Sequence, residues 1–360
     1  MRNARNVVCH AFQVGSGTLK ESAEVLAPKG TKSAPLLVMA GDAARAAPQT
    51  GKERPPPRFI EVFHDNLDRE LDVISSLVAL GKYKLVAMDA EFPGVVVRPL
   101  GNFDSPEDFQ YQTIRCNVDL LKVIQIGICL ADTEGSLPTT EEAPAGNVWQ
   151  FNFEFSLARD IYAQSSVEML QEAGIKFDVL QERGIDPIYF GELLITSGLV
   201  MNPDVTWITF HSGYDFGYLV KTCTADLMPA TRQAFYELLS ILFPNFLDIK
   251  SFMPSLQLHG GLNKLAETLR VRRHGPAHQA ASDALLTLDV FNRLARVHAN
   301  FIAFDQFLNK LYGLSFPTSV DVTNTSMQAQ PQNALEMNAL LEDTDRIRSE
   351  DGSGFAKPAV

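Results

Sequence analysis

The sequence predicts an α/β domain, a mixed central sheet flanked by helices, and three observations carry that prediction. Strand-like segments follow one another at 84–91, 122–130 (KVIQIGICL) and 147–153 (NVWQFNF), joined by short or turn-rich links. That is the pattern of an antiparallel meander. From residue 205 onward strand and helix signals alternate, which adds parallel strands to the same sheet. A late helix at 279–298 carries an apolar stripe (Ala284, Leu285, Leu286, Leu288, Val290, Phe291, Leu294) that needs a sheet to cover it.

Residues 1–57 precede this block. They are rich in Ala, Gly and Ser and end in Arg54-Pro55-Pro56-Pro57-Arg58, and residues 1–54 hold eight Lys/Arg against four Asp/Glu. A disordered extension is expected here. Its Arg-containing, acid-poor start, Met1 to Lys20, leaves a mitochondrial transit peptide open beside the cytoplasmic location expected, with the nucleus as a second site. Next, Leu67, Leu71, Ile74, Leu77 and Val78 mark an amphipathic helix, with Asp65 or Asn66 as cap and Gly81 as stop. After the three strands, helices are expected at 157–172, 215–223, 230–242 and 261–270, with a strand at 205–210 (VTWITF). The block runs from 58 to 313 as one domain. Residues 314–360 are polar, with Gln328, Gln330, Gln332, an acidic Glu342-Asp343-Thr344-Asp345 and Gly352-Ser353-Gly354, and read as a disordered tail.

Composition excludes several classes. No apolar run is long enough to span a bilayer, so no membrane partner is expected. A net charge of -12 argues against holding nucleic acid by bulk electrostatics, so a polyanionic substrate would need local basic patches or metal ions. The four cysteines, Cys9, Cys116, Cys129 and Cys223, form no C-x-x-C pair and read as buried apolar groups in a reducing compartment.

Chemistry enters where strand LVAMDAEFPG (85–94) places Asp89 and Glu91 two residues apart, on one face of a strand. Two like charges in a partly buried place repel each other and resist desolvation. Such a pair persists when a cation sits between them or when one acid keeps its proton. Taken alone, the pair has a blander reading: the strand ends there and both acids are in water. A further acid, Asp215, follows strand 205–210 through the small Ser212-Gly213 and falls in the first turn of the next helix. There it could be a capping acid, yet the carboxyl end of a strand is also where α/β sheets build their sites. Then HQAASD places His278 at the mouth of helix 279–298 and Asp283 just inside it, beside the apolar stripe. An acid so placed must be paired, metal-bound or at the stripe's edge.

As an ordered set, the four carboxylates can surround two hard divalent cations, Mg²⁺ or Mn²⁺, which favour oxygen ligands. Two such ions can activate a water and stabilise the leaving oxygen of a phosphodiester. A neutral imidazole such as His278 can take the water's proton. The residues by themselves therefore reach a two-metal phosphodiesterase.

The same residues resemble the DEDD exonucleases, which have an RNase H-like fold, in the form whose third motif is H-x4-D. Within that group the chain is similar to the Caf-one/Pop-two deadenylase family. The matching stretches include MDAEFPGVVVRPLG (88–101), WITFHSGYDFGYLVK (207–221), LFPNFLDIK (242–250) and GPAHQAASDALLT (275–287), and together they span nearly all of the block from about 59 to 312. Ala90 stands where the family usually has Thr, and Ala281 where Gly is common. The resemblance implies metal ligands at Asp89, Glu91, Asp215 and Asp283 and a general base at His278. It also implies 3′-to-5′ shortening of poly(A) RNA with release of AMP, and docking to the scaffold and second deadenylase subunits of the Ccr–Not complex. An adaptor with dispensable catalysis and a less specific DEDD nuclease are the competing readings. For RNA guidance the candidates are Lys264, Arg270, Arg272 and Arg273 in KLAETLRVRRH (264–274), and Phe92 as a stacking ring. An exposed cationic helix end and core packing are the plainer alternatives for these.

Overall fold

The computed structural model describes residues 56–298 and 303–315. The transit-peptide reading of residues 1–20 lies outside the described residues, as do nearly all of both extensions. A six-stranded sheet forms the centre, in the order β1-β4-β3-β2-β5-β6. Its strands are β1 (Arg58–Val62), β2 (Leu85–Glu91), β3 (Gln125–Ala131), β4 (Asn147–Asn152), β5 (Thr206–Thr209) and β6 (Phe246–Asp248). The expected mixture is present: β2–β3 and β3–β4 pair antiparallel, while β1–β4, β2–β5 and β5–β6 pair parallel.

Alternation along β2 sends its side chains to two separate cores. Val86, Met88 and Ala90 join a core on one face, with α1 (Leu67–Ala79), α2 (Pro106–Leu120), α5 (Pro187–Thr196), α6 (Gly213–Thr224) and α7 (Arg232–Leu242). Leu85 and Ala87 join the other, under α9 (Leu262–Leu269) and α10 (Ala280–His298). Asp89 and Glu91 continue the second series, so they come up beneath the start of α10. Two short helices, α3 (Gln164–Glu172) and α4 (Phe177–Arg183), pack around Ile124 and Phe155 near the same end of the sheet, and α8 (Ile249–Phe252) follows β6 directly.

Several elements depart from expectation. The link between β2 and β3 is not short: it contains α2, whose Ser105 accepts the Asp108 N–H as an N-cap. The buried face of α2 includes Thr113 and Asn117, which break the apolar stripe that would have announced it. Asn117 is fully buried, accepts the N–H groups of Val96 and Val97, and donates to Val97 O and Thr113 O. It thereby fixes the chain leaving Glu91. The helix expected at 157–172 starts only at Gln164, because Ser156–Asp160 closes a turn in which the Asp160 carboxylate accepts the Ser156 N–H at 2.8 Å. β1, α4, α5 and β6 were not expected. At the C-terminal side Leu314 is fully buried, so the packed domain passes the expected boundary at 313. Cys129 and Cys223 are buried, and burial pushes the Cys129 thiol well up and the Cys223 thiol up to about 12. These thiols act as apolar groups, not nucleophiles.

On α10, burial holds Asp289 up to about 6 from 3.8, against the pull of Arg296. A carboxyl whose pKa rises on folding contributes stability that is present below its unfolded value and lost as pH rises through about 6. Asp289→Asn is therefore expected to stabilise the protein at pH 7.5 by about 1–3 kcal/mol, with the gain vanishing near pH 4. Thermal melts of both proteins across that range check it. A gain that persists unchanged at pH 4 would rule the explanation out.

Candidate active site

The β2–β5 ladder runs from Leu85↔Thr206 to Ala87↔Ile208 and stops there. Beyond it the Ala90 N–H donates to the Asp215 carboxylate at 2.7 Å. This bond ties the first turn of α6 to β2 at the residue between Asp89 and Glu91. Asp89 stands half-buried on the strand opposite Gly127, and Glu91 opposite Gln125. Glu91, Asp215 and Asp283 are 2%, 7% and 7% exposed. Three carboxylates so deeply placed need compensating positive charge or protons.

At the mouth of α10 the sequence-predicted pair comes together with the strand. One ligand-type atom each from Glu91, His278 and Asp283 lie within 4.8 Å of one another. His278 adopts a left-handed backbone, φ 61°, unusual for a residue with a side chain. Its N–H donates to Asp283 Oδ2 at 2.9 Å, so the acid inside the helix holds the histidine outside it. The donor set, carboxylate oxygens with one imidazole, suits a hard divalent cation such as Mg²⁺ or Mn²⁺.

The RNA candidates separate. Arg273 turns into the site: its guanidinium pairs with Asp283 Oδ1 at 2.6 Å and also donates to Asn263 Oδ1 and Ser282 Oγ. The expected phosphate contact is thus a fixed positive charge on a proposed metal ligand. Lys264, Arg270 and Arg272 are exposed, and Lys264 lies 3.6 Å from Glu267. Phe92 is corrected. It is 7% exposed and stacks on Tyr214 with ring centroids 4.9 Å apart, so its ring is core and offers no open face to a base.

Sequence reasoning missed the layer that seats α10. On the site face, Gln125 of β3 and Gln150 and Asn152 of β4 are buried amides. Gln125 Nε2 donates to Asn152 Oδ1 at 2.8 Å, and Gln150 Nε2 donates to Gln279 Oε1 at 2.8 Å. The carbonyl ends of the two strand glutamines accept from the first N–H groups of the helix, Gln125 from Ala280 at 3.4 Å and Gln150 from Ala281 at 3.2 Å. Those helix N–H groups have no intrahelical partner and need such acceptors. Gly127 permits the approach, since a Cβ there would lie 2.1 Å from Ala280 O. The signal was present as amides alternating with rings in Trp149-Gln150-Phe151-Asn152-Phe153, a polar face on a strand with no solvent to meet.

Residues 62–190 match the profile of the CAF1 family ribonuclease. The chain is 48% identical over 273 residues to Poly(A) ribonuclease pop2 of Schizosaccharomyces pombe, covering 76% of this chain and 79% of that protein. It is 47% identical over 247 residues to CCR4-NOT transcription complex subunit 7 of Caenorhabditis elegans, covering 67% and 77%. Among solved structures, the Mg²⁺- and Mn²⁺-bound form of S. pombe Pop2p aligns with TM-score 0.65 at 48% identity, covering 71% of this chain and 99% of that one.

Proposed function

This chain belongs to the CAF1 family of ribonucleases, and we propose that it is a poly(A)-specific 3′-to-5′ exoribonuclease, a deadenylase, acting on messenger RNA as a subunit of a CCR4-NOT complex. Asp89, Glu91, Asp215 and Asp283 would hold two divalent ions, Mg²⁺ or Mn²⁺, the ions bound by the S. pombe relative. The observation that carries the reading is the convergence of Glu91, His278 and Asp283 from β2 and the mouth of α10 within 4.8 Å, with Asp215 fastened to β2 beside them.

When bound, the ions supply Lewis-acid activation of the attacking water and charge stabilisation at the departing oxygen. The chain's residues do the rest. His278 would accept the proton of the water on a ring nitrogen, which requires the neutral imidazole. The water oxygen bonds to the terminal phosphorus, the P–O3′ bond breaks, and the shortened strand takes up a proton at its new 3′ hydroxyl. The last nucleotide leaves as 5′-AMP. Arg273 offsets part of the negative charge at Asp283 and holds that carboxylate in one orientation. Lys264, Arg270 and Arg272 form the exposed cationic side from which an RNA backbone could be steered.

Purified protein with Mg²⁺ or Mn²⁺ should remove nucleotides one at a time from the 3′ end of 5′-labelled oligo(A), and EDTA should stop it. Oligo(U), oligo(C) and an oligo(dA) strand run in parallel test base and sugar preference. Equal rates on all four would discard the poly(A) assignment and leave a general nuclease. No metal-dependent hydrolysis of any of them would leave only the adaptor reading.

A further inference from the structure

A further buried carboxylate sits one strand beyond the site. Asp248 ends β6 at the sheet edge, paired with Thr209 of β5, and is fully buried. It therefore touches neither solvent nor substrate. Its two oxygens accept backbone N–H groups from three segments. Oδ1 takes His211 at 2.7 Å and Lys250 at 3.1 Å, and Oδ2 takes Tyr312 at 3.0 Å and Ser212 at 3.3 Å. Burial pushes this carboxyl up, and the four N–H donors pull it back toward the charged form that accepts them.

Two of those donors belong to the turn that delivers Asp215. His211 has φ 57°, a left-handed conformation that an L side chain adopts only under constraint. Thr209 and Ser212 share a hydroxyl contact at 2.6 Å across the same turn, and α6 starts at Gly213. Ser212 gives this helix no side-chain cap, so the geometry of its first turn is inherited from the turn before it. The remaining long-range donor, Tyr312, lies in the last described segment. That segment is anchored by buried Leu311 and Leu314 and by Arg232, which donates to Leu314 O at 2.8 Å and Ser315 O at 3.1 Å. The Tyr312 ring also meets the His211 ring edge-on, centroids 5.1 Å apart.

We propose that Asp248 is a positioning residue for Asp215: its carboxylate fixes the 211–212 turn, and through Tyr312 it couples that turn to the segment 311–315. This rests on the reading of Asp215 as a metal ligand. Asp248→Asn keeps the shape but replaces one acceptor oxygen by an NH₂ that faces N–H donors.

The test uses the full chain and Mn²⁺, with binding read from the loss of the free-ion electron paramagnetic resonance signal and kinetics read on oligo(A). Four proteins are compared: the parent, Asp215→Asn, Asp248→Asn and the double variant. Asp248→Asn should weaken Mn²⁺ binding at least about tenfold, as loss of a residue that orients a ligand commonly does, and lower kcat while KM for oligo(A) stays within about twofold. The double variant should bind Mn²⁺ no more weakly than Asp215→Asn, because both lesions act through one ligand. A folded Asp248→Asn that melts earlier yet binds Mn²⁺ like the parent, or losses that add in the double variant, would overturn the proposal. If Asp215→Asn itself leaves Mn²⁺ binding unchanged, it is the metal-site reading that fails. Should Asp248→Asn not fold, hydrogen exchange on the parent decides. Mn²⁺ should slow the amides of His211, Ser212 and Tyr312 together, and a Tyr312 amide indifferent to Mn²⁺ would refute the coupling.

Discussion

Asp89→Ala and Asp283→Ala are each expected to lower the rate on oligo(A) by at least about 10³-fold, because removing a proposed metal ligand would forfeit several kcal/mol of charge stabilisation at the reacting phosphate. Asp283→Ala should also lose stability. Asp283 accepts from Arg273 and from the His278 N–H, and its loss leaves both without that acceptor. Asp283→Ala should therefore be destabilised by about 1–3 kcal/mol. Melting curves in EDTA beside single-turnover rates in Mn²⁺ separate the two effects. Activity surviving in Asp89→Ala would remove the metal-centred mechanism.

Gly127→Ala is expected to behave almost as badly, though it deletes no functional group. The added Cβ would fall 2.1 Å from Ala280 O and 2.4 Å from Ala281 N, so the start of α10 has to move off the sheet. That motion carries His278 and Asp283 away from Glu91 and stretches the contacts from Gln125 and Gln150. A displacement of about 1 Å suffices for roughly a 10²-fold loss of rate, and forcing a methyl into a close-packed contact costs about 1–3 kcal/mol. The check is kcat on oligo(A) together with the melting temperature. A variant with full activity would mean that the seating of α10 on β3 does not set the site.

Much of this was readable in the residues. The apolar run Leu85–Met88 leading into Asp89 and Glu91 and the stripe on 279–298 marked the two elements that meet, and the order of Asp89, Glu91, Asp215, His278 and Asp283 along the chain pointed to metal-assisted phosphodiester hydrolysis. The antiparallel β2–β3–β4 meander and the parallel β5 beside β2 also followed from the order of signals, whereas the β1 and β6 pairings did not. What stayed hidden has physical causes. α2 buries Thr113 and Asn117 because Asn117 is committed to the backbone of Val96 and Val97, so its apolar periodicity is interrupted. α5, PIYFGELLIT, is apolar on most sides and shows no one-sided stripe. β6 is three residues long, too short to carry alternation. A basic run in sequence gives no direction for any one side chain, so nothing in KLAETLRVRRH shows that Arg273 turns inward. Its bond to Asp283 depends on the turn at Gly275, which has φ 86° and packs against Ser282. Phe92 looked available because it follows Glu91 directly, yet alternation along β2 sends it to the opposite core, against Tyr214.

Anomalous X-ray scattering from crystals of the full chain grown with Mn²⁺ decides whether side chains far apart in the chain enclose a pair of divalent ions at the junction of β2, α6 and α10. Two manganese peaks are expected, contacted by the carboxylates of Asp89, Glu91, Asp215 and Asp283, with the His278 ring beside them. Manganese bound elsewhere, or bound with any of these four acids turned away from both ions, would rule the two-ion site out.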